Sequence, residues 1–176
     1  MHDADKDGWY IGGAAAADWL TSSKKEENGT SINYGNRVTP GGSLFVGRRV
    51  TENIRIEGEF LYRRFAENTK ENGSSVRKVN GKSFGGLTNI YYDFMAGQKF
   101  RPYVGVGVGY GSIDVEDKRS TGRVTVRVSG IAYQAGAGAS YALASDIEAF
   151  GGYRYLAIGD SAKRDHEILA GLRYNF

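Results

Sequence analysis

One stretch of the sequence, VGVGVGYG from Val104 to Gly111, alternates strictly between apolar residues and glycine. A period of two is the pattern of a β-strand, in which successive side chains point to opposite faces of a sheet. The predicted strand has one apolar face and one face that is almost without side chains. A closed barrel with a narrow interior needs such empty positions. The stretch therefore favours an all-β fold.

The same period recurs along the whole chain and predicts eight strands and no helix. The predicted strands are Gly8–Leu20, Val38–Val50, Ile54–Ala66, Gly81–Phe94, Arg101–Ile113, Val124–Ala142, Ile147–Ile158 and Asp165–Phe176. The connections after the first, third, fifth and seventh strands are longer and charged, whereas the other three are short. We therefore predict one up-and-down antiparallel domain, residues 8–176, which a flexible leader at residues 1–7 precedes.

The two faces of each predicted strand differ in polarity. In the last strand, Ile168 and Leu172 share one face, and Glu167 and Arg173 share the other. A soluble sandwich, or a ligand-binding barrel of lipocalin type, would turn the apolar face inward. Alternation alone does not exclude that arrangement, which predicts a monomer that is soluble without detergent.

The positions of the aromatic residues favour the opposite arrangement, with the apolar face in lipid. Trp9 and Trp19 share a face and stand ten residues apart, about 33 Å along a strand and about 25 Å after a tilt of about 40°. That is the height of the apolar band of an outer-membrane barrel between its aromatic girdles. The predicted girdle consists of Trp9, Trp19, Tyr62, Phe84, Tyr92, Phe94 and Tyr174.

The same argument turns the charged face into the lumen, where glycines leave room for long side chains. The predicted lumenal polar network consists of Arg55, Glu57, Glu59, Arg63, Asp93, Glu148, Arg154, Glu167 and Arg173. Directly opposed residues of an antiparallel pair have a constant index sum. A sum of 321 predicts the pairs Arg154–Glu167 and Glu148–Arg173, and a sum of 148 predicts that Arg55 opposes Asp93.

If charge pairs close the lumen, removing one partner costs more than removing both. We therefore expect Arg173→Met alone to destabilise the barrel more than Arg173→Met combined with Glu148→Met.

Composition excludes several classes of function. The chain of 176 residues has no Cys, only two His and a formal net charge of +3, so thiolate metal sites and disulfides are excluded. Its Lys and Arg alternate with Asp and Glu, which argues against a nucleic-acid surface. No run of about 20 apolar residues predicts a transmembrane helix. The acidic start is no signal peptide, and we expect that Met1 begins a mature form whose signal peptide has been removed.

Three stretches carry a family resemblance. They are YYDF from Tyr91 with the following RPYVGVGVGYG, GWYIGG near the start, and GLRYNF at the end. The chain resembles bacterial outer-membrane β-barrels of the opacity-type and OmpA- or OmpX-like surface antigens. The resemblance implies an eight-stranded transmembrane barrel in a Gram-negative outer membrane. It also implies that Tyr174 and Phe176 form the signal for the barrel-assembly machinery.

The function implied by this resemblance is that of a non-enzymatic surface antigen or adhesin. Its barrel would contact membrane lipid and lipopolysaccharide, and four extracellular loops would contact a host or envelope ligand. A narrow pore is the alternative, and a lipid-A-modifying enzyme is a further one. Some barrel lipases carry a His-x-Ser pair near the C-terminus, but His166-Glu167-Ile168 lacks the serine. We expect a monomer with no catalytic residue, cofactor, metal or nucleic-acid partner.

Overall fold

A computed structural model describes residues 8–20, 25–27, 30–32, 37–71, 74–119, 122–159 and 164–176. The strands are β1 (Trp9–Leu20), β2 (Lys25–Glu27), β3 (Thr30–Ile32), β4 (Arg37–Arg49), β5 (Ile54–Glu71), β6 (Ser74–Asp93), β7 (Phe100–Arg119), β8 (Gly122–Ala142), β9 (Ile147–Ile158) and β10 (Arg164–Asn175). Eight of them close a barrel in the order β1-β10-β9-β8-β7-β6-β5-β4, while β2 and β3 form a separate hairpin. Every pairing is antiparallel.

These pairings confirm the predicted eight-stranded up-and-down barrel. Among the described residues, no helix is long and apolar enough to cross a membrane. The leader predicted at residues 1–7 lies outside the described residues.

The register of the barrel sets the tilt of its strands. The row of paired residues that starts at Trp9 runs around the barrel through Arg48, Ile56, Ile90, Val106, Ala135, Tyr155 and His166. Asp18 pairs with Glu167, the neighbour of His166, so the row returns at Trp19, ten positions beyond its start. For eight strands, a stagger of ten corresponds to a tilt of about 40°.

Four strands are longer than the sequence predicted. β5 to β8 have 18, 20, 20 and 21 residues, whereas β1, β4, β9 and β10 have 12 or 13. The segments ENTKENGSSVRKVN and DVEDKRSTG were predicted as loops, and that prediction is wrong for most of their length. Their polar composition indicates that water surrounds the chain on both sides. A solvated hairpin and a loop are both surrounded by water, so composition does not distinguish them.

Glycines make room in the wall for large inward side chains. The Cβ that any other residue would add at Gly105 would collide with the ring of Tyr91, and one added at Gly47 would collide with the ring of Tyr10. The opposite face carries Val104, Val106, Val108 and Tyr110, all exposed. The alternation in this stretch therefore separates an apolar outer face from a lumen that neighbouring strands fill.

The lumen also contains an apolar cluster that the sequence analysis did not predict as a unit. Its buried members come from the five consecutive strands β5 to β9, and they are Leu61, Leu87, Ile113, Ala132, Leu156 and Ile158. Leu156 is fully buried, and Val115 packs against the cluster from β7. These side chains occupy one sector of the lumen beside the charged residues.

Candidate functional site: a closed lumen and a projecting sheet

All nine residues of the predicted polar network lie in the lumen. Each is at most 6% exposed, although a charged side chain is seldom fully buried unless it is paired. Successive side chains of a strand point to opposite faces, so these charged residues point inward where the apolar residues between them point outward. The lumen is thus a buried ionic core, and its pairing decides whether it is stable.

Glu148 is the centre of the network at the end with the short turns. Its carboxylate lies 2.9 Å from Arg49, 2.6 Å from Arg101 and 3.1 Å from Arg173. Four strands supply these side chains, since Arg49 is on β4, Arg101 on β7, Glu148 on β9 and Arg173 on β10. One carboxylate therefore joins four strands across the interior.

Asp93 and Glu57 extend this cluster towards β5. Asp93 lies 3.2 Å from Arg49 and 2.7 Å from Arg55. Glu57 accepts a hydrogen bond of 3.0 Å from the hydroxyl of Tyr10 and lies 3.6 Å from Arg55. The Arg55 guanidinium also lies over Tyr91, 4.4 Å from the ring centroid, a distance typical of a cation–π contact.

A second cluster fills the lumen further along the axis. Arg154 lies 2.6 Å from Glu59 and 2.7 Å from Glu167. Arg63 contacts Glu167 and lies 3.1 Å from Asp165. Asn89 and Gln134 donate to Glu59 at 2.9 and 3.2 Å, and these two neutral donors complete the hydrogen bonding of its carboxylate.

The register predictions had different outcomes. β9 and β10 pair with the index sum of 321, which places Arg154 opposite Glu167 and Glu148 opposite Arg173. The sum of 148 between β5 and β6 is wrong, because Arg55 stands opposite Tyr91. Arg55 nevertheless reaches Asp93 diagonally, since a long side chain spans the distance to the residue two positions along the partner strand.

Three members of the network were missed from the sequence: Arg49, Arg101 and Asp165. Together with the nine predicted residues they make six arginines and six carboxylates joined within 4.0 Å. Alternation could have revealed Arg49, which shares its face with Phe45 and Gly47. Asp165 and Arg101 stand at strand ends, where a pattern of period two has no continuation to fix the face.

The packed side chains leave little space in the lumen. A cavity of about 40 Å³ is lined by residues that include Ser43, Glu57, Tyr91, Arg154 and Arg173. This volume holds a few water molecules. The described side chains on both sides of it are in ionic contact, so the interior has the character of a core.

The predicted girdle residues have outward positions at two levels. Trp9, Tyr92, Phe94 and Tyr174 are exposed at the end with the short turns, and Tyr62 and Phe84 are exposed and directly opposed on β5 and β6 at the other end. The backbone of Trp19 belongs to β1, but its side chain lies outside the described part of the structure. With the stagger of ten residues, the two levels are about 25 Å apart.

The predicted assembly residues share the outer face at the end of β10. Tyr174 and Phe176 are both exposed, and their rings meet edge to face with centroids 5.4 Å apart. Phe176 also donates its backbone N–H to the carbonyl of Trp9 at 3.0 Å. The last residue is thus held to the first barrel strand, and its role as an assembly signal stays a prediction.

Beyond the second aromatic level, β7 and β8 reverse the polarity of their faces. The outer face carries Asp114 and Arg127, whose two hydrogen bonds measure 2.6 and 3.0 Å. These hydrogen bonds from Arg127 lower the pKa of the Asp114 carboxyl. The inner face carries an exposed apolar row formed by Val124, Val126 and Val128.

His166 lies on the outer face of β10. Its imidazole contacts the Tyr153 hydroxyl, and its ring centroid lies 5.4 Å from that of Tyr155. The next outward residue is Ile168, at the position that serine occupies in the His-x-Ser pair of some barrel lipases. The described neighbours of His166 in these contacts are thus two phenols on the lipid-facing side.

Comparisons with known proteins agree with this geometry. The opacity protein opA65 of Neisseria gonorrhoeae is 28% identical over an alignment of 205 residues, gaps included. The alignment covers 98% of this chain and 74% of that protein. Neisserial surface protein A has a similar structure, with a TM-score of 0.69, 20% identity and coverage of 96% and 97% of the two chains. Ail, the attachment invasion locus protein of Yersinia pestis, has a TM-score of 0.66, 14% identity and coverage of 97% and 99%.

The likeness to these two solved structures is one of fold. The sequence itself matches the family described as "Outer membrane protein beta-barrel domain" over residues 1–176. The lipid-facing exterior, the aromatic levels and the closed polar lumen are the features expected of that family. The chain therefore belongs to the outer-membrane β-barrel family of Gram-negative bacteria.

Proposed function

We propose that the protein is a non-enzymatic surface antigen of adhesin type, in which the barrel is the anchor and the extracellular segments bind a host or envelope ligand. The observation that carries the proposal is the projection of β5 to β8. At a tilt of about 40°, a strand of 20 residues spans about 50 Å along the axis, twice the height of the apolar band. The excess length places a four-stranded sheet in water above the membrane.

The faces of this sheet support a role in recognition. Val124, Val126 and Val128 are 59%, 51% and 47% exposed on its inner face. A row of exposed apolar side chains in water is unfavourable unless another surface covers it, and such patches commonly mark binding sites. The similarity to an opacity protein supports the same interpretation.

Shortening the β7–β8 hairpin tests the proposal. Asp114 pairs with Arg127, so residues 115–126 can be replaced by an Asn-Gly turn that closes the hairpin directly above this pair. Bacteria that display the shortened protein should adhere to epithelial cells no better than bacteria that carry an empty vector. Outer-membrane abundance and the mobility difference between boiled and unboiled protein should not change.

A matched control keeps the hairpin and changes its other face. Asp114→Asn combined with Arg127→Gln removes the outer ion pair and leaves the valine row in place. This variant should adhere like the wild type. Wild-type adhesion by the shortened protein would contradict the proposal.

The alternative function, a narrow pore, is not supported by the lumen. Six arginines and six carboxylates cross it in direct contact, and the cavity among them is about 40 Å³. We expect no single-channel current steps from the purified protein in planar bilayers. Regular steps that disappear on addition of antibodies to the extracellular segments would favour the pore.

A further inference from the structure

The projecting sheet ends on one side with the part of β8 that rises above the barrel wall. The ladder between β8 and β9 stops at the pair Ala132–Ile158. Beyond that pair, residues 124–130 of β8 pair with β7 on one side, and no strand in the described part of the chain pairs with them on the other. An open edge in extended conformation is a template for the addition of a further strand.

The orientation of the backbone identifies the polar groups that this edge presents. Gly159 donates its N–H to the carbonyl of Ile131 at 2.8 Å, so the polar groups of Ile131 point towards β9. Along a strand, the N–H and C=O of every second residue point to the same side. The backbone groups directed to the open edge are therefore those of Thr125, Arg127 and Ser129.

The opposite edge of the sheet, β5 above Arg63, has features that hinder strand addition. The ladder between β5 and β4 stops at the pair Gly41–Arg63. Four of the eight residues in segment 64–71 are charged, and the pairing of this segment with β6 shifts in register between Thr69 and Lys70. Natural sheets use charged residues, lysine above all, and bulges to block their edges.

The edge of β8 lacks these features. Residues 124–130 have the sequence VTVRVSG, which contains no lysine, no proline and one charged residue, Arg127. The Arg127 guanidinium donates to both carboxylate oxygens of Asp114 on β7, so it is directed into the sheet and away from the edge. The register with β7 is continuous through the segment, and valine and threonine favour extended chains. Of the two edges, that of β8 is therefore the one suited to pairing.

We propose that residues 124–130 of β8 bind an extended segment of a partner protein by strand addition. Main-chain hydrogen bonds to the open edge give such a complex its affinity, and alternate side chains give it specificity. Every second side chain of the added strand lies beside the exposed valine row on the inner face, so these positions should be apolar. The inference rests on the proposed function, in which the projecting sheet is the binding surface, and it names the chemistry of the partner.

The charges on the outer face define the other side chains of the added strand. The described charged side chains on this face of the sheet are Arg64, Lys82, Asp114, Glu116 and Arg127. Three are cations and two are anions, and Arg127 on the edge strand is 69% exposed. Complementary charge favours an acidic segment over a basic one at such a surface. The expected partner segment therefore alternates apolar and acidic residues.

The test measures the binding of labelled peptides to the full-length protein in detergent micelles by fluorescence anisotropy. The probe is the capped heptapeptide Thr-Val-Glu-Val-Glu-Val-Thr, and a version with lysine in place of glutamate should bind more weakly. Two further versions carry N-methyl groups on the glutamates or on the valines. Because alternate N–H groups of an added strand face β8, one of these two should lose binding and the other should retain it.

A pair of variants tests the same edge from the side of the protein. Thr125→Pro removes an N–H that points to the open edge, where proline is tolerated in a sheet. Loss of one hydrogen bond should weaken peptide binding about tenfold. Thr125→Ala keeps the N–H and should bind like the wild type. Both variants should retain the mobility difference between boiled and unboiled protein.

Equal binding of the heptapeptide by Thr125→Pro and the wild type would overturn the proposal. Equal affinity of the two N-methylated peptides would also overturn it, and that result does not depend on the folding of any variant. Self-association of the full chain that Thr125→Pro abolishes, without peptide binding, would assign the edge to a second copy instead. Equal binding of the lysine peptide would overturn the acidic partner. None of these outcomes alters the adhesion test with the shortened hairpin, so the proposed function and the edge site can fail separately.

Discussion

The wall of the barrel and the sheet that projects from it use the same strands with opposite polarity. Within the wall, β7 turns Val106 outward and Gly107 inward, whereas in the projection the outer face carries Asp114 and Arg127 and the inner face carries Val124 and Val126. The side-chain alternation continues through the change, so only the chemistry of the two faces is exchanged. The comparison teaches that the surroundings of each face select its composition, and that the change from apolar to charged residues on the outer face marks the upper boundary of the hydrocarbon.

The largest effect is expected in the ionic core of the wall. Glu148→Met leaves Arg101 and Arg173 without the carboxylate that each contacts, and an uncompensated buried charge costs about 3–5 kcal/mol. Urea unfolding in lipid bilayers should show a loss of this size. An unchanged free energy of unfolding would mean that water reaches these groups and that the lumen is no core.

The network also reverses the expectation that Arg173→Met alone destabilises the barrel more than Arg173→Met combined with Glu148→Met. Arg173→Met leaves Glu148 in contact with Arg49 and Arg101, so its loss should be smaller than that of Glu148→Met. Adding Glu148→Met should then destabilise the barrel further. Rescue by the second substitution would show that Glu148 and Arg173 act as an isolated pair, as the index sum alone suggested.

The next effect compares apolar side chains on the inner face of the two regions. Leu156 is fully buried in the lumenal cluster, whereas Val126 is 51% exposed on the projection. Leu156→Ala should cost about 2–5 kcal/mol, because truncation of a buried side chain leaves a cavity. Val126→Ala should change the free energy of unfolding by less than about 1 kcal/mol. A large loss at Val126 would show that a segment of the protein already covers the valine row.

A third comparison places the same charge on the outer face of each region. The row of paired residues that leads from Trp9 to Trp19 crosses eight strand pairings, and it reaches Val106 after four of them. Val106 therefore lies at the middle height of the apolar band. Val106→Lys should cost about 2–4 kcal/mol, as lysine does at a bilayer midplane. Thr125→Lys, on the outer face of the projection, should change stability by no more than about 0.5 kcal/mol. Equal costs would remove the distinction between the two outer faces.

The sequence was sufficient for the wall because lipid and the narrow lumen constrain alternate residues in opposite ways. It predicted the fold, the inward position of residues such as Arg154 and Glu167, and their register. The projection could not be predicted in this way, because a hairpin with water on both sides has no required alternation of polarity.

The smallest effect concerns the ion pair on the outer face of the projection. The hydrogen bonds from Arg127 lower the pKa of Asp114, so the folded protein should hold this carboxylate ionised at a pH below about 3.9, the ordinary value for Asp. Because the folded-state pKa is the lower one, the pair stabilises the fold above the unfolded-state pKa, and that contribution disappears as the pH falls through the folded-state pKa. Carbon NMR of the labelled side chain should show the low midpoint, and Arg127→Gln should raise it. Since Arg127 is 69% exposed, 1 M salt should also move the midpoint towards the ordinary value. A midpoint that ignores salt would place the pair away from water and would move the hydrocarbon boundary beyond Asp114.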